Sequence, residues 1–292
     1  MQSPLLRQLN NLQTRRFSLP SGLSLAADVA GPETGLPVVL LHGGGQTRGS
    51  WKGGLTRLAA RGYRVFAVDA RGHGESDWAP DGDYSLDAQV HDLSCLLAQL
   101  PPRAALVGAS MGGVTALAAT AEPDTPQIRA LVLVDITPKI ALAGAQRISA
   151  FMSANPDGFA SVDEAADAVS LYNPHRPRPK DVSGLRRNLR EVNGRFYWHW
   201  DPAFFGRRRL EPGIYLARME AAARSIRVPT LLVRGNQSEI VGDDEVAHFR
   251  SLVPAASFID VVGAGHMVAG DRNDAFNGAV IGFLEDVDKR RA

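Results

Sequence analysis

Cysteine is almost absent: the 292 residues contain one, Cys95, so no internal disulfide can form and the fold must rest on a packed core. Cys95 lies in a helical pattern and reads as a small buried core residue. Net charge is also nearly absent, at +1 from 32 Lys/Arg against 31 Asp/Glu. That balance argues against a nucleic-acid-binding or membrane-surface role for the chain as a whole. No apolar run approaches the roughly 18 residues of a membrane span. The stretch from Met1 to Leu12 lacks a charged region leading into an apolar one, so no secretory signal is expected and a cytoplasmic enzyme is the expectation. There are no internal repeats and no low-complexity tracts.

What is present is an ordinary globular composition, 45% hydrophobic and 22% charged. Arg15 to Leu19 and Leu23 to Val29, parted by Pro20-Ser21-Gly22, predict a hairpin. Continuous apolar runs follow at Val38–Leu41, Arg64–Val68, Ala104–Val107 and Leu131–Val134, as in strands buried on both faces. Helical spacing lies between them, as in Leu86, Val90, Leu93 and Leu97 behind the N-cap residue Ser85. From Pro138 the pattern changes to helical stretches, a Pro-rich break at Asn173–Pro179, and the aromatic cluster Phe196-Tyr197-Trp198-His199-Trp200. The alternation resumes with Thr230–Val233, a helix over Glu245–Leu252, a last strand over Ser257–Val262, and a final helix through Phe276, Val280, Phe283 and Leu284. The expectation is an α/β fold: a mostly parallel central sheet with helices on both faces, plus an inserted α-helical cap. The core takes residues 14–137 and 226–290, the cap 138–225, and an N-terminal arm 1–13.

Four loops stand at the ends of predicted strands. They are His42-Gly43-Gly44-Gly45, Asp69 to Ser76, Gly108-Ala109-Ser110-Met111-Gly112 and Gly265-His266. The third is a strand–sharp turn–helix with G-x-S-x-G spacing, in which tiny neighbours let Ser110 project its hydroxyl clear of the sheet. A serine hydroxyl is a weak nucleophile on its own and needs a base and an oxyanion hole. All four motifs in this order resemble the α/β-hydrolase family, in its serine-nucleophile branch with a helical cap, over about residues 38–285.

The resemblance implies a site. Ser110 is the nucleophile and His266 the general base. The backbone N–H groups of Gly44 and Met111 form the oxyanion hole, with Gly45 as the fallback for Gly44. His42, Asp69, Arg71 and His73 read as braces of their loops. The usual acid slot, after the glycine that ends the strand through Val233, is filled by Ser238, which cannot stabilise an imidazolium as a carboxylate does. Two carboxylates could substitute. Asp135 is the expected acid, because it and Ser110 end strands joined by one helix and so lie side by side at the sheet edge; Glu239 is the alternative. Asp135 ends the strand after the elbow helix, where some branches of the family carry the acid; the alternative for it is a hydrogen-bonding hinge residue. Glu239 is adjacent to the usual slot.

Trp198, Trp200 and Met267 are candidate pocket residues. Residues 171–218 hold eleven Lys/Arg against four Asp/Glu, which points either to solvated faces or to a basic lid drawing in a carboxylate-bearing small molecule. The implied function is a cofactor- and metal-free serine hydrolase of a small ester, thioester or lactone. C–C bond or amide hydrolysis is the alternative within the fold, and a slowly hydrolysing ligand-binding receptor is the alternative outside enzymes. Nucleic-acid and membrane partners are not expected, and the sequence leaves the oligomeric state open.

Overall fold

The computed structural model describes residues 12–173, 178–205, 211–266 and 273–290. Ten strands and eight α-helices are described: β1 (Gln13–Ser18), β2 (Ser24–Ala30), β3 (Pro37–Leu41), α1 (Lys52–Ala60), β4 (Arg64–Val68), α2 (Leu86–Leu97), β5 (Ala105–Ala109), α3 (Met111–Ala119), β6 (Ala130–Val134), α4 (Leu142–Ser153), α5 (Val162–Tyr172), β7 (Leu189–Val192), β8 (Arg195–Trp198), α6 (Pro212–Ser225), β9 (Thr230–Gly235), α7 (Asp243–Leu252), β10 (Ser257–Val261) and α8 (Asn273–Lys289). Eight strands form one sheet in the order β1-β2-β4-β3-β5-β6-β9-β10. β1 and β2 pair antiparallel, β2 runs antiparallel to β4, and every other pairing is parallel.

Side chains of the central strands alternate between two apolar layers, as the two-residue period of a strand requires. Val39, Leu106, Leu131, Leu133 and Leu232 face a layer completed by Leu93, Leu96, Leu117, Met219 and Phe249 of α2, α3, α6 and α7. Val38, Leu40, Val107, Val132, Val134, Leu231 and Val233 face Leu55 and Leu58 of α1 and Phe276, Val280 and Leu284 of α8. Burial on both faces explains why these strands read as unbroken apolar runs. The parallel strands β3, β5, β6 and β9 all end at one edge, so the loops after them gather there. Ser85 caps α2 as expected, its hydroxyl accepting from Ala88 N at 3.2 Å.

Four details differ from the sequence reading. Cys95 is half-buried, with His91 Nε2 3.5 Å from its sulfur. Gln13 already belongs to β1, Leu12 before it is exposed, and the first eleven residues of the expected arm lie outside the described residues. The 138–225 segment is not wholly helical: β7 and β8 form an antiparallel hairpin around Asn193-Gly194, with φ of 51° and 76°. Positive φ at both turn residues matches the twist of a two-residue hairpin, and Asn-Gly is its strongest sequence signal. Finally, α6 lies on the sheet, since Met219, Ala222 and Ala223 share a cluster with Leu232 and Phe249.

Candidate active site

Ser110 sits between β5 and α3 with φ 45° and ψ −115°. No ordinary well for an L-residue lies there, and such strain costs about 1–3 kcal/mol. Hydrogen bonds hold it: Ser110 N to Val134 O at 3.1 Å, Gly112 N to His42 O at 3.1 Å, and Val114 N to Ser110 O at 2.9 Å. The glycines are needed for space. A Cβ on Gly108 would lie 2.5 Å from Gly112 O, and one on Gly112 would lie 2.5 Å from Leu41 O. Ser110, Met111 and Gly44 are half-buried at the sheet edge.

Asp135 follows β6 with its own positive φ, 50°, and no exposed surface. Its Oδ1 accepts from Gly235 N at 3.1 Å. Its Oδ2 accepts from Ser238 Oγ at 2.5 Å and faces His266 Nδ1 at 2.7 Å. A carboxylate can only accept here, so Nδ1 carries the imidazole proton and Nε2 is left with its lone pair. Ser238, in the slot where the sequence lacks a carboxylate, thus lies on the Asp135 carboxylate. Its oxygen also accepts from Ile240 N at 3.2 Å and Val241 N at 3.1 Å, which orients the hydroxyl toward Asp135. Glu239 is turned elsewhere. Its carboxylate pairs with Arg147 at 2.6 Å and accepts from Tyr172 OH at 3.3 Å, both in the 138–225 segment.

The loop after β3 is fixed peptide by peptide. Gly43 C=O accepts from His42 Nδ1 at 2.8 Å and from Gln46 N at 3.1 Å. Because the peptide is trans, Gly44 N–H points the opposite way. At the start of α3, Gly112 N–H is spent on His42 O, while Met111 N–H belongs to the first turn, which has no intrahelical acceptor. His42 Nε2 accepts from Ala70 N at 3.0 Å, which ties this loop to the next. Burial holds His42 below the ordinary histidine range, so it stays neutral at pH 7. Asp69, fully buried, accepts from Arg48 N at 2.6 Å and Glu75 N at 3.0 Å and pairs with the Arg48 guanidinium. Arg71 is locked bidentately onto Asp92 at 2.5 and 2.6 Å. These groups brace the loops.

Trp198 and Trp200 stack on each other at 5.1 Å and 12°. Trp198 lies among Phe151 and Phe159. Trp200 and Met152 close on Gly45, where an added Cβ would meet them at 3.1 and 2.9 Å. Met152, which the sequence reading missed, also sits 3.6 Å from the Cβ position of Gly44, beside Met111 Sδ at 4.0 Å. Met267 lies outside the described residues. Neither tryptophan lines the large cavity beside the elbow, of about 1070 Å³, which runs from Met111, Val114 and Thr115 past Tyr84, Ile140 and Tyr215. It was not legible in sequence because its walls come from five separate stretches.

The family model described as "alpha/beta hydrolase fold" matches residues 37–272, and the chain belongs to that family. It is 32% identical over 262 residues to the esterase Rv0045c of Mycobacterium tuberculosis, covering 85% of this chain and 82% of that one. It is also 32% identical over 276 residues to the sn-1-specific diacylglycerol lipase ABHD11 of Mus musculus, covering 90% and 85%. A crystal structure of the M. tuberculosis esterase superposes with a TM-score of 0.73 at 30% identity, covering 94% and 92%. E-2-(acetamidomethylene)succinate hydrolase shares the fold with a TM-score of 0.80 at 24% identity, covering 94% of this chain and 100% of that one.

Proposed function

We propose that this α/β-hydrolase cleaves carboxylic esters through an acyl-enzyme on Ser110. The observation that carries the reading is the Asp135–His266 hydrogen bond of 2.7 Å at the same sheet edge as the strained Ser110 elbow. In this reading Ser110 Oγ attacks the ester carbonyl carbon as its proton passes to His266 Nε2. Asp135 keeps Nδ1 protonated and stabilises the imidazolium. The carbonyl oxygen takes up negative charge against Gly44 N–H and Met111 N–H. Collapse expels the alcohol, which receives the proton from His266. Water, deprotonated by the same imidazole, then attacks the acyl-enzyme and releases the acid, restoring Ser110.

Two relatives whose names give esterase and lipase activity support ester hydrolysis over amide or C–C cleavage. The donor-lined loop supports turnover over a purely ligand-binding role. The size and apolar wall of the cavity favour an ester with a medium or long apolar chain. A carboxylate on the substrate is the finer expectation from the basic 171–218 stretch; it rests on long-range attraction, since Lys139, the one cation on the cavity wall among the described residues, is paired with Glu245 at 3.5 Å. The test is a fluorophosphonate probe combined with a series of p-nitrophenyl esters of rising chain length. Labelling at Ser110, loss of hydrolysis by about 10³-fold or more in Ser110→Ala, and an optimum above acetate are expected. Full activity in Ser110→Ala would overturn the reading.

A further inference from the structure

Three buried histidines surround the loop after β3, and the mechanism above uses none of them. His73 is fully buried and His199 is 5% exposed. Their backbone partners fix their tautomers. Gly45 N–H donates to His73 Nε2 at 3.2 Å, and His73 Nδ1–H donates to Arg71 O at 3.1 Å. Gly74 N–H donates to His199 Nδ1 at 2.9 Å, and His199 Nε2–H donates to Gly45 O at 3.2 Å. The two imidazoles therefore grip the same residue, one at its N–H and the other at its C=O. Burial keeps both neutral at pH 7, as those roles require, with His199 pushed down to about 4.

Gly45 would not hold this position unaided. Its φ is +72°, so it has the glycine freedom to flip its peptides. The Gly45 C=O held by His199 shares its peptide with Gln46 N–H, which donates to Gly43 O at 3.1 Å, and Gly43 C=O shares its peptide with Gly44 N–H. A rotation of the Gly45–Gln46 peptide would release Gly43 O and let Gly44 N–H turn from the oxygen it has to meet. His199 comes from the 138–225 segment, as do Met152 and Trp200, which pack against the same glycine.

We infer that His199 is a positioning residue for the oxyanion hole: its Nε2–H on Gly45 O, opposite His73 on Gly45 N, holds Gly44 N–H toward the scissile carbonyl and makes that donor depend on the seating of the 138–225 segment. The inference rests on the proposed esterase reading and deepens it. It places a specificity-independent element of the transition-state machinery outside the four loops that carry the chemistry.

Two substitutions separate the two bonds of His199. In His199→Asn the amide oxygen replaces Nδ1 and keeps an acceptor for Gly74, but nothing reaches Gly45 O. In His199→Gln the amide nitrogen reaches outward to the Nε2 position and restores that donor. Removing an oxyanion donor outright costs about 10²–10³ in kcat, so misaligning one in His199→Asn should cost about 10- to 100-fold. The experiment uses the full chain, p-nitrophenyl butyrate, and a trifluoromethyl ketone of the same chain length, whose Ser110 adduct carries the oxyanion. Active sites are counted by fluorophosphonate labelling.

The expected result is a kcat loss per active site in His199→Asn with KM changed less than about twofold, and a Ki for the ketone raised by the same factor as kcat falls. His199→Gln should recover most of both. A kcat per active site and a Ki unchanged in His199→Asn would overturn the inference. Losses shared equally by Asn and Gln would do the same, because they would report misfolding or simple volume rather than the Gly45 bond. Ser110→Ala is run beside them: activity retained there defeats the esterase reading itself. If no p-nitrophenyl ester is turned over, the rate of Ser110 phosphonylation gives the same comparison, since it too places charge on oxygen in the hole.

Discussion

At the residue scale, Asp135, Ser238 and Glu239 have separate tasks. The Asp135 carboxylate meets His266, and Glu239 meets Arg147 and Tyr172. Loss of the corresponding carboxylate in a related triad costs about 10⁴ in kcat. Asp135→Asn should therefore lower kcat by several orders of magnitude, and Glu239→Gln by less than about tenfold, measured per labelled active site with the fold checked by circular dichroism. Ser238→Ala removes one donor from Asp135 and the acceptor for two loop N–H groups. A net hydrogen bond to a charged group is worth about 1.5–3 kcal/mol, so denaturant unfolding should report a loss of about that size. Its kcat should fall far less than that of Asp135→Asn, because the imidazole keeps its partner.

At the element scale, the 138–225 segment reaches the site through particular contacts. α4 brings Met152 to Gly45, the stretch after β8 brings His199 and Trp200, and Glu239 is tied back to α4 by Arg147. The β7–β8 hairpin positions Trp198, His199 and Trp200, and its turn depends on Gly194. An added Cβ there would touch nothing within 4 Å, so any cost is conformational. Gly194→Ala should lower stability by about 1–2 kcal/mol, the cost of a left-handed non-glycine residue, in chemical denaturation. The rate of Ser110 labelling at low denaturant should stay unchanged. A larger loss of labelling than of stability would show that the hairpin, rather than its end at His199, contacts the reacting groups.

At the scale of the whole molecule, the buried histidines should make stability fall on the acid side. Desolvation holds His42, His73 and His199 below the ordinary value of 6.5, with His199 at about 4. The unfolded chain binds these protons first, so stability is full above about pH 6.5 and falls as pH drops toward 4. His199 alone accounts for about 3 kcal/mol across that window. Thermal melts from pH 7 to 4.5 should show a steep fall, shallower in His199→Gln, where one of the three titrating groups is gone. Charge distribution acts at the same scale. Arg178 pairs with Asp163 and Asp167, and Arg218 with Asp87 and Glu122. Any pull of the rest of the basic 171–218 stretch on an anionic substrate would act at long range and be screened by salt. For a carboxylate-bearing ester kcat/KM should fall with added salt more than for a neutral ester of equal size; equal slopes would remove charge steering from the account.

The layered sheet, the strand-end loops, Ser110 and the pair of candidate acids were legible because each depends on a local pattern. Apolar runs specify buried strands, and a strained turn can be built only with glycine at fixed offsets. The sequence alone also narrowed the candidate acid to two carboxylates and favoured Asp135 by strand order, but it could not fix where either points, since a side chain's direction depends on neighbours far along the chain. The tertiary structure decided where they point: β6 and the loop after β10 bring Asp135 to His266 across 131 positions, while Arg147 turns Glu239 away. The same limit hid the grip on Gly45. Its two histidines stand 28 and 154 positions from it, and no periodicity or spacing encodes a bond that forms only when the segment carrying His199 closes over the loop after β3.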